Sequence, residues 1–188
     1  MIEHTSIRRR SLLAGGAGAV VLSTAGCASP SLDDYRDTKP ALDLRRYFDG
    51  RLSAHGLFAD RSGRVQRRFT VAMACSWNGD DGVLDEDFVY DDGEKQKRVW
   101  RLRHLGEGRY SGRADDVVGE AQGATSGHAF QWRYTMRLPW RGRTIDVDFD
   151  DWMFLIDDRV MLNHATMSKF GVRLGEVQLS FDKATRRT

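Results

Sequence analysis

The sequence predicts an all-β domain, closed as an up-and-down antiparallel barrel of about eight to ten strands and preceded by one short helix. Apolar and polar residues alternate with a period of two over most of the chain after Gly50, as in strands with one buried face. Short turn sequences separate these stretches, and the chain contains 19 glycines but 3 prolines. Sequential hairpins of this number favour a closed barrel because closure removes exposed strand edges, and a two-sheet sandwich is the alternative.

The N-terminal residues have the layout of a secretory signal. Residues 8–27, RRRSLLAGGAGAVVLSTAGC, place arginines before an apolar stretch and small residues before a cysteine. The final TAGC resembles a lipobox, so we expect a signal peptide over residues 1–26 and lipidation of Cys27. An uncleaved anchor, or an ordinary signal with a chance cysteine, is the alternative. Arg9-Arg10 also fits a twin-arginine signal, so the export route stays open.

The lipid at Cys27 is the expected membrane attachment. Residues 27–40 are polar and bounded by proline, which is typical of a flexible stalk. Ala28 stands where an aspartate would resemble an inner-membrane retention signal. We therefore expect the periplasmic face of the outer membrane, with the inner membrane as the alternative. The net charge of +2 comes from the leader, so the neutral remainder gives no electrostatic reason to expect nucleic acid.

One domain is expected over residues 41–183, followed by a basic tail at 184–188. Leu44, Tyr47 and Phe48 have the spacing of one short amphipathic helix that ends at Gly50. Turn sequences such as Asp60–Gly63 then separate the strands. The expected strands cover residues 51–58, 65–77, 84–90, 98–104, 130–138, 144–156, 160–167 and 172–181, with shorter glycine-rich strands between 109 and 123.

A ligand site inside the barrel is the main functional prediction. Barrels of this size hold one small ligand when side chains do not fill them. Arg98 is expected on a strand face beside large apolar groups, where it either makes an internal ion pair or binds a ligand carboxylate. Asp151 shares the parity of an apolar face and is expected to be buried beside Arg98 or Arg133. The candidate ligand-binding residues are Arg98, Trp100, Trp132, Tyr134, Asp151 and Trp152.

Other polar motifs are interpreted as structural. Asp146, Asp148 and Asp150 alternate along one strand and are expected on its outer face, with a calcium or acid–base site as the alternative. The five histidines lack the spacing of a zinc site, and no nucleophile elbow precedes Ser168. Cys75 is expected to be a free, buried thiol. We therefore assign no catalytic residue, metal or cofactor, and we expect no enzyme.

Four long segments resemble a family of uncharacterised bacterial lipoproteins known only as a domain of unknown function. These segments are YFDGRLSAHGLFADRSGRVQRRF, LDEDFVYDDGEKQKRVWRL, YSGRADDVVGEAQGATSGHAFQWRY and DFDDWMFLIDDRVMLNHATMSKFGVRLGEVQLSF. The resemblance runs from about Tyr47 to Lys183 and implies a lipocalin-like barrel in the cell envelope, without an assigned activity. We expect a periplasm-facing lipoprotein that binds or carries a small apolar ligand, such as a fatty acid or a lipid. A structural or partner-binding envelope module with a filled barrel is the alternative, and a carboxylate-dependent enzyme near Asp150 is the third hypothesis.

Overall fold

The computed structural model describes residues 29–183 and confirms the predicted all-β barrel. Each strand pairs with its neighbours in sequence, and β1 pairs with β10 to close the sheet. A 3-10 helix (Leu32–Tyr35) and the helix α1 (Leu44–Tyr47) precede the strands. The ten strands are β1 (Gly50–Asp60), β2 (Val65–Asn78), β3 (Asp81–Tyr90), β4 (Lys95–His104), β5 (Arg109–Arg113), β6 (Val117–Ser126), β7 (Ala129–Trp140), β8 (Arg143–Leu155), β9 (Val160–Lys169) and β10 (Val172–Lys183). The predicted signal peptide, Cys27 and the tail at 184–188 lie outside the described residues.

The two-residue period explains why the strands form and which faces they bury. Along β2, Val71, Met73 and Cys75 are buried inside the barrel, while Ala72 and Ala74 between them face solvent. Cys75 is a free, buried thiol, as predicted, and its burial raises its pKa to about 12. All ten strands and both helices lie within residues 29–183, so this part of the chain contains every strand of the closed barrel.

The glycine-rich stretch forms the least regular part of the wall. It makes the short strand β5 and then β6, whose register with β7 shifts between Val118 and Gln122. Gly119 lies in this shift with a φ of 77°, a left-handed conformation that glycine adopts without steric penalty. The predicted bend in this region is therefore present as a bulge.

One end of the barrel is closed by α1. Its residues Leu44 and Tyr47, together with Phe48, are buried against the strands. The Trp77 indole N–H donates a hydrogen bond to the carbonyl of Phe48 at 2.9 Å, and the Tyr47 hydroxyl donates to the carbonyl of Arg159 at 2.8 Å. These bonds fix α1 across the end where β2 turns into β3 and β8 into β9. The other end is ringed by the β1–β2, β3–β4, β5–β6, β7–β8 and β9–β10 turns.

Residues 32–42 run along the outer wall at the closed end. The Tyr35 ring lies 5.4 Å from the His128 ring and 5.8 Å from the Trp152 ring, centroid to centroid. The Leu42 N–H donates to the carbonyl of Gly127 at 2.8 Å, and a Cβ at Gly127 would overlap the carbonyl oxygen of Tyr35. These contacts place part of the segment that was expected to be a flexible stalk against the barrel. Within residues 29–183, neither helix has the length and apolar character needed to cross a bilayer.

Candidate functional site

The barrel encloses a cavity of about 1350 Å³. This volume exceeds the range of roughly 300–1,000 Å³ that is usual for small-ligand pockets. Leu44 and Phe48 form its floor, and residues of the β1–β2, β7–β8 and β9–β10 turns line its mouth. A barrel filled by its own side chains would leave no such space, so the interior has the shape that ligand binding requires.

Aromatic side chains form one wall of the cavity. Trp100 on β4 lies 5.8 Å from Trp132 and 5.4 Å from Tyr134, both on β7, measured between ring centroids. Tyr134 stacks on Phe149 of β8 at 4.9 Å with an interplanar angle of 9°. The strand period brings these residues together because alternate side chains of neighbouring strands point to the same side. The wall offers a broad apolar surface to a bound molecule.

An arginine and two carboxyl groups lie near the mouth side of this wall. The Arg98 Nη2 atom lies 2.8 Å from Oδ2 of Asp116, and Nε lies 2.9 Å from the same oxygen. Glu86 is directly opposite Arg98 in the β3–β4 register and is buried. No group within residues 29–183 donates a hydrogen bond to the Glu86 carboxyl. Desolvation by burial raises the pKa of Glu86 to about 7, although the charge of Arg98 acts in the opposite direction.

A second polar group lies deeper, on β7, β8 and β9. The Asn163 amide donates to Oδ1 of Asp151 and, at 3.2 Å, to the carbonyl of Trp152. The Tyr134 hydroxyl donates to Oδ2 of Asp151 at 3.4 Å. Burial raises the pKa of Asp151 to about 7, while its bonds to Asn163 and Tyr134 act to lower that pKa. Near neutral pH both interior carboxyl groups therefore exchange between the protonated and the ionised form.

The structure brings together five of the six predicted ligand-binding residues. Arg98, Trp100, Trp132, Tyr134 and Asp151 all line the cavity. Trp152 does not line it. Asp151 faces the cavity, so the next residue in the strand must face outward, where Tyr35 covers the Trp152 ring.

The prediction of an arginine partner for Asp151 is wrong. Arg98 is bound to Asp116, and Arg133 lies outside the barrel with its Nε 3.4 Å from Oδ1 of Asp150. Asn163 and Tyr134 satisfy Asp151 instead. The outer aspartates have partners across the strand, since Arg137 binds Asp146 at 2.9 Å and Thr135 donates to Asp148 at 2.7 Å. These cross-strand pairs confirm the predicted outer polar face. Asp146, Asp148 and Asp150 each have a partner on β7.

Two polar residues of the interior were missed by the sequence analysis. Asn163 shares the parity of Met161 and Ala165, which are buried, and this pattern identifies it as inward-facing. Asp116 lies in the turn between β5 and β6, where no alternation exists to predict its direction. Within the described part of the chain, no cluster of three or more His, Cys, Asp or Glu side chains is arranged to hold a metal ion.

Known structures share the barrel architecture. The S-type phycobiliprotein lyase CpeS from Guillardia theta is similar over 77% of this chain and 92% of its own, with a TM-score of 0.58 and 6% sequence identity. A de novo designed fluorescence-activating β-barrel is similar over 76% of this chain and 99% of its own, with a TM-score of 0.41 and 9% identity. At these identities the likeness to the lyase shows the fold alone, and the likeness to the designed barrel carries no argument.

The sequence comparisons give a family without an activity. No curated protein matches the chain. Residues 21–183 match a family model described as "Protein of unknown function (DUF3833)". This match spans the whole barrel and the segment before it, and the chain therefore belongs to the DUF3833 family.

Proposed function

We propose that this protein is a non-enzymatic barrel that binds or carries a small apolar ligand whose polar end is neutral or basic. One observation carries the proposal: a cavity of about 1350 Å³ has an aromatic wall and contains a buried Glu86 carboxyl without a hydrogen bond. A buried polar group without a hydrogen bond is destabilising unless a ligand or water supplies one. The site is therefore suited to a molecule that brings a donor to Glu86 and apolar surface to the aromatic wall.

The apolar part of the ligand supplies most of the affinity in this proposal. Burial of a methylene group contributes about 0.8 kcal/mol. About ten buried methylenes would give roughly 8 kcal/mol, which corresponds to a dissociation constant in the micromolar range before the entropy of binding is subtracted. The volume of the cavity places no steric limit on a chain of this length.

The charges in the cavity argue against an ionised carboxylate as the polar end. Arg98 is the cation of the interior cluster, and its Nε and Nη2 atoms already bind Asp116. The other cationic residues that line the cavity lie towards its mouth: Arg61, Arg67, Arg137, Lys169 and Arg173. Glu86 and Asp151 add two further carboxyl groups to the same cavity. A fatty-acid carboxylate, which was one expectation from the sequence, would meet like charges there, whereas a hydroxyl, an amide or an amine would complement them.

Three probes with the same alkyl chain test this proposal: dodecylamine, dodecanol and dodecanoate. Each is titrated against the barrel loaded with N-phenyl-1-naphthylamine, a neutral apolar dye whose fluorescence falls on displacement. We expect the amine and the alcohol to displace the dye at lower concentration than the carboxylate above neutral pH. Equal potency of all three probes would reject the assigned polarity, and failure of all three to bind would reject the ligand-binding function.

A cavity-filling variant locates the binding. Val177 on β10 points into the cavity and is half-buried, so Val177→Trp should occupy part of the space and weaken binding at least tenfold. Val83 on the outer face of β3 is 40% exposed, and Val83→Trp is the matched control. Unchanged binding by a folded Val177→Trp protein would show that the probes bind elsewhere.

We also propose that the chain is a lipoprotein anchored through Cys27 at the periplasmic face of the outer membrane. The RRRSLLAGGAGAVVLSTAGC segment supports this location, because it combines a basic start, an apolar stretch and a lipobox-like ending. In the unsubstituted protein, the N-terminal peptide should begin at Cys27 and carry the mass of the acyl groups. Cys27→Ser should abolish the acylation, because serine has no thiol to accept the lipid, and the variant should keep its leader. An unmodified, uncleaved chain in the unsubstituted protein would contradict the anchor.

A further inference from the structure

The mouth of the barrel has a basic side. Three turns at this end are neighbours around the barrel, because β2, β1, β10, β9, β8 and β7 are consecutive in the sheet. We call residues 60–64, 140–143 and 169–173, which are these turns and the strand ends beside them, the basic rim. Its basic residues are Arg61, Arg64, Arg141, Arg143, Lys169 and Arg173, against the single acidic residue Asp60. The remaining two turns at the mouth are acidic, with Asp91, Asp92, Glu94, Asp115 and Asp116, and the strand ends beside them add the basic residues Lys95 and Arg113.

Four of the five arginines of the basic rim are not neutralised by the protein, and the fifth, Arg173, binds Glu176. Arg61, Arg64, Arg141 and Arg143 are exposed and make no ion pair with any residue between 29 and 183. On the acidic side the pattern differs, since Arg67 binds Asp92 at 2.9 Å and Glu94 at 3.0 Å. The free positive charge at the mouth is therefore concentrated on one side, where it would attract an anionic surface.

Two large aromatic side chains project from the same rim. Phe170 is 89% exposed and Trp140 is 55% exposed. Phe170 has a φ of 51°, a left-handed conformation that is unfavourable for a bulky residue and that turns normally give to glycine or asparagine. The two-residue turn between β9 and β10 requires a positive φ at this position, but it does not require a phenylalanine. The ring contributes little to the packing of the barrel, so the packing does not explain why a large aromatic residue is exposed here.

Each of these aromatic rings lies beside a basic group. Lys169 Nζ lies 4.7 Å from the centroid of the Phe170 ring, and Arg141 Cζ lies 5.4 Å from the centroid of Trp140. Aromatic rings flanked by cationic side chains are typical of segments that lie at the membrane interface, where the rings enter the headgroup region and the cations bind anionic lipids. The rim also borders the cavity, because Arg61, Trp140 and Lys169 line its mouth.

We propose that the basic rim docks the open end of the barrel onto an anionic phospholipid surface. The inference deepens the proposed function, because a mouth seated on the bilayer would let an apolar ligand pass between membrane and cavity without crossing water. A bilayer fits the rim better than an acidic protein does. The apolar groups project singly from separate turns, and the charges around them are spread out, whereas a protein interface needs a continuous, complementary patch.

Vesicle sedimentation tests the docking. The protein is prepared from Ala28 onward, so that neither the leader nor an acyl chain contributes, and residues 29–183 contain the entire closed barrel. It is mixed with vesicles of phosphatidylcholine alone or of phosphatidylcholine with phosphatidylglycerol. We expect sedimentation with the anionic vesicles only, and loss of this binding as the salt concentration rises. Equal binding to both vesicles, or binding to neither, would overturn the proposal.

Matched variants separate the rim from the rest of the surface. The double variant Trp140→Ser/Phe170→Ser removes the projecting rings. The control Leu105→Ser/Ile156→Ser removes two apolar side chains at the closed end that are 45% and 53% exposed. We expect the first variant to associate with anionic vesicles at least tenfold more weakly than the unsubstituted protein does. The second variant should associate as strongly as the unsubstituted protein. Equal effects of the two variants would refute a specific role of the rim.

Charge variants provide the second comparison. Arg141→Gln/Arg143→Gln should weaken vesicle binding about thirtyfold at low salt, since each basic residue near an anionic surface contributes about a fivefold gain. Arg101→Gln/Arg109→Gln removes two exposed arginines away from the mouth and should leave binding unchanged. Binding of the unsubstituted protein to polyglutamate with no binding to vesicles would identify an acidic polypeptide as the partner and overturn the proposal.

Dye displacement in the absence of vesicles distinguishes this proposal from the proposed function. The charge variant Arg141→Gln/Arg143→Gln changes no cavity-lining residue and should bind N-phenyl-1-naphthylamine as the unsubstituted protein does. Dye binding without rim-dependent vesicle binding would reject the docking and leave the ligand-binding function intact. Rim-dependent vesicle binding without binding of any apolar probe would support docking and reject the carrier function.

Discussion

Substitution of Glu86 by glutamine should change how the stability of the protein depends on pH. Burial raises the pKa of Glu86 from its ordinary value of 4.5 to about 7. A group whose pKa is raised by folding holds its proton more tightly in the folded protein than in the unfolded chain. The stabilising contribution of the protonated Glu86 carboxyl to the free energy of unfolding is therefore complete below about pH 4.5 and is lost as the pH rises through 7.

The size of the effect follows from the displacement of the pKa. At about 1.36 kcal/mol per pKa unit, the displacement corresponds to about 3 kcal/mol of unfolding free energy. Glutamine has almost the same shape as glutamic acid and does not titrate. The two proteins are compared by the difference between their free energies of unfolding, unsubstituted protein minus Glu86→Gln. This difference should fall by about 3 kcal/mol between about pH 4 and about pH 8.

Urea denaturation at a series of pH values measures this difference. Asp151 titrates over a similar range in both proteins, so its contribution largely cancels in the comparison. Glu107→Gln, in the exposed turn between β4 and β5, is the matched control. Stability curves for Glu86→Gln and the unsubstituted protein that run parallel over the whole pH range would refute the assignment of a buried, titrating carboxyl group at this position.

Three further variants or reactions test the interior. Arg98→Met should destabilise the protein by about 3–5 kcal/mol in urea, because it leaves Asp116 without its cation; a change below about 1 kcal/mol would show that the pair is not structural. Asn163→Leu should cost about 1–3 kcal/mol and raise the pKa of Asp151 further, which carboxyl NMR titration would detect as a higher midpoint. In protein prepared from Ala28, Cys75 should react with a disulfide reagent only as fast as the barrel unfolds; rapid reaction in the native state would contradict its burial.

The strand period made the inner wall predictable. Trp100, Trp132, Tyr134 and Asp151 each share a parity with buried apolar neighbours, and they face the cavity for that reason. The same rule excludes Trp152, since two adjacent residues of a regular strand cannot both point inward. Parity along the strand, and not aromatic character, therefore decides which of the predicted residues line the cavity.

The alternation of apolar and polar residues could not predict contacts between distant parts of the chain. The partner of Arg98 comes from a turn, where side-chain direction has no period, and Asp116 could not be identified in advance. Residues 32–38 are polar and resemble a linker, yet Tyr35 packs against rings contributed by β8. Alternation tells which face of a strand is outward, but it does not tell which outward face another segment will cover.

The two ends of the barrel have different attachments in the arrangement proposed for this protein. The chain enters at the closed end, where Leu42 is bonded to Gly127, while the basic rim surrounds the opposite end. The four residue-to-residue steps from Cys27 to Ser31 span at most about 14 Å when fully extended. A ten-residue strand tilted by about 40° spans about 25 Å along the barrel axis. An acyl anchor at Cys27 would therefore hold the closed end near its own bilayer and direct the mouth away from it. In that arrangement, docking by the rim on a second membrane surface would be easier than docking on the first.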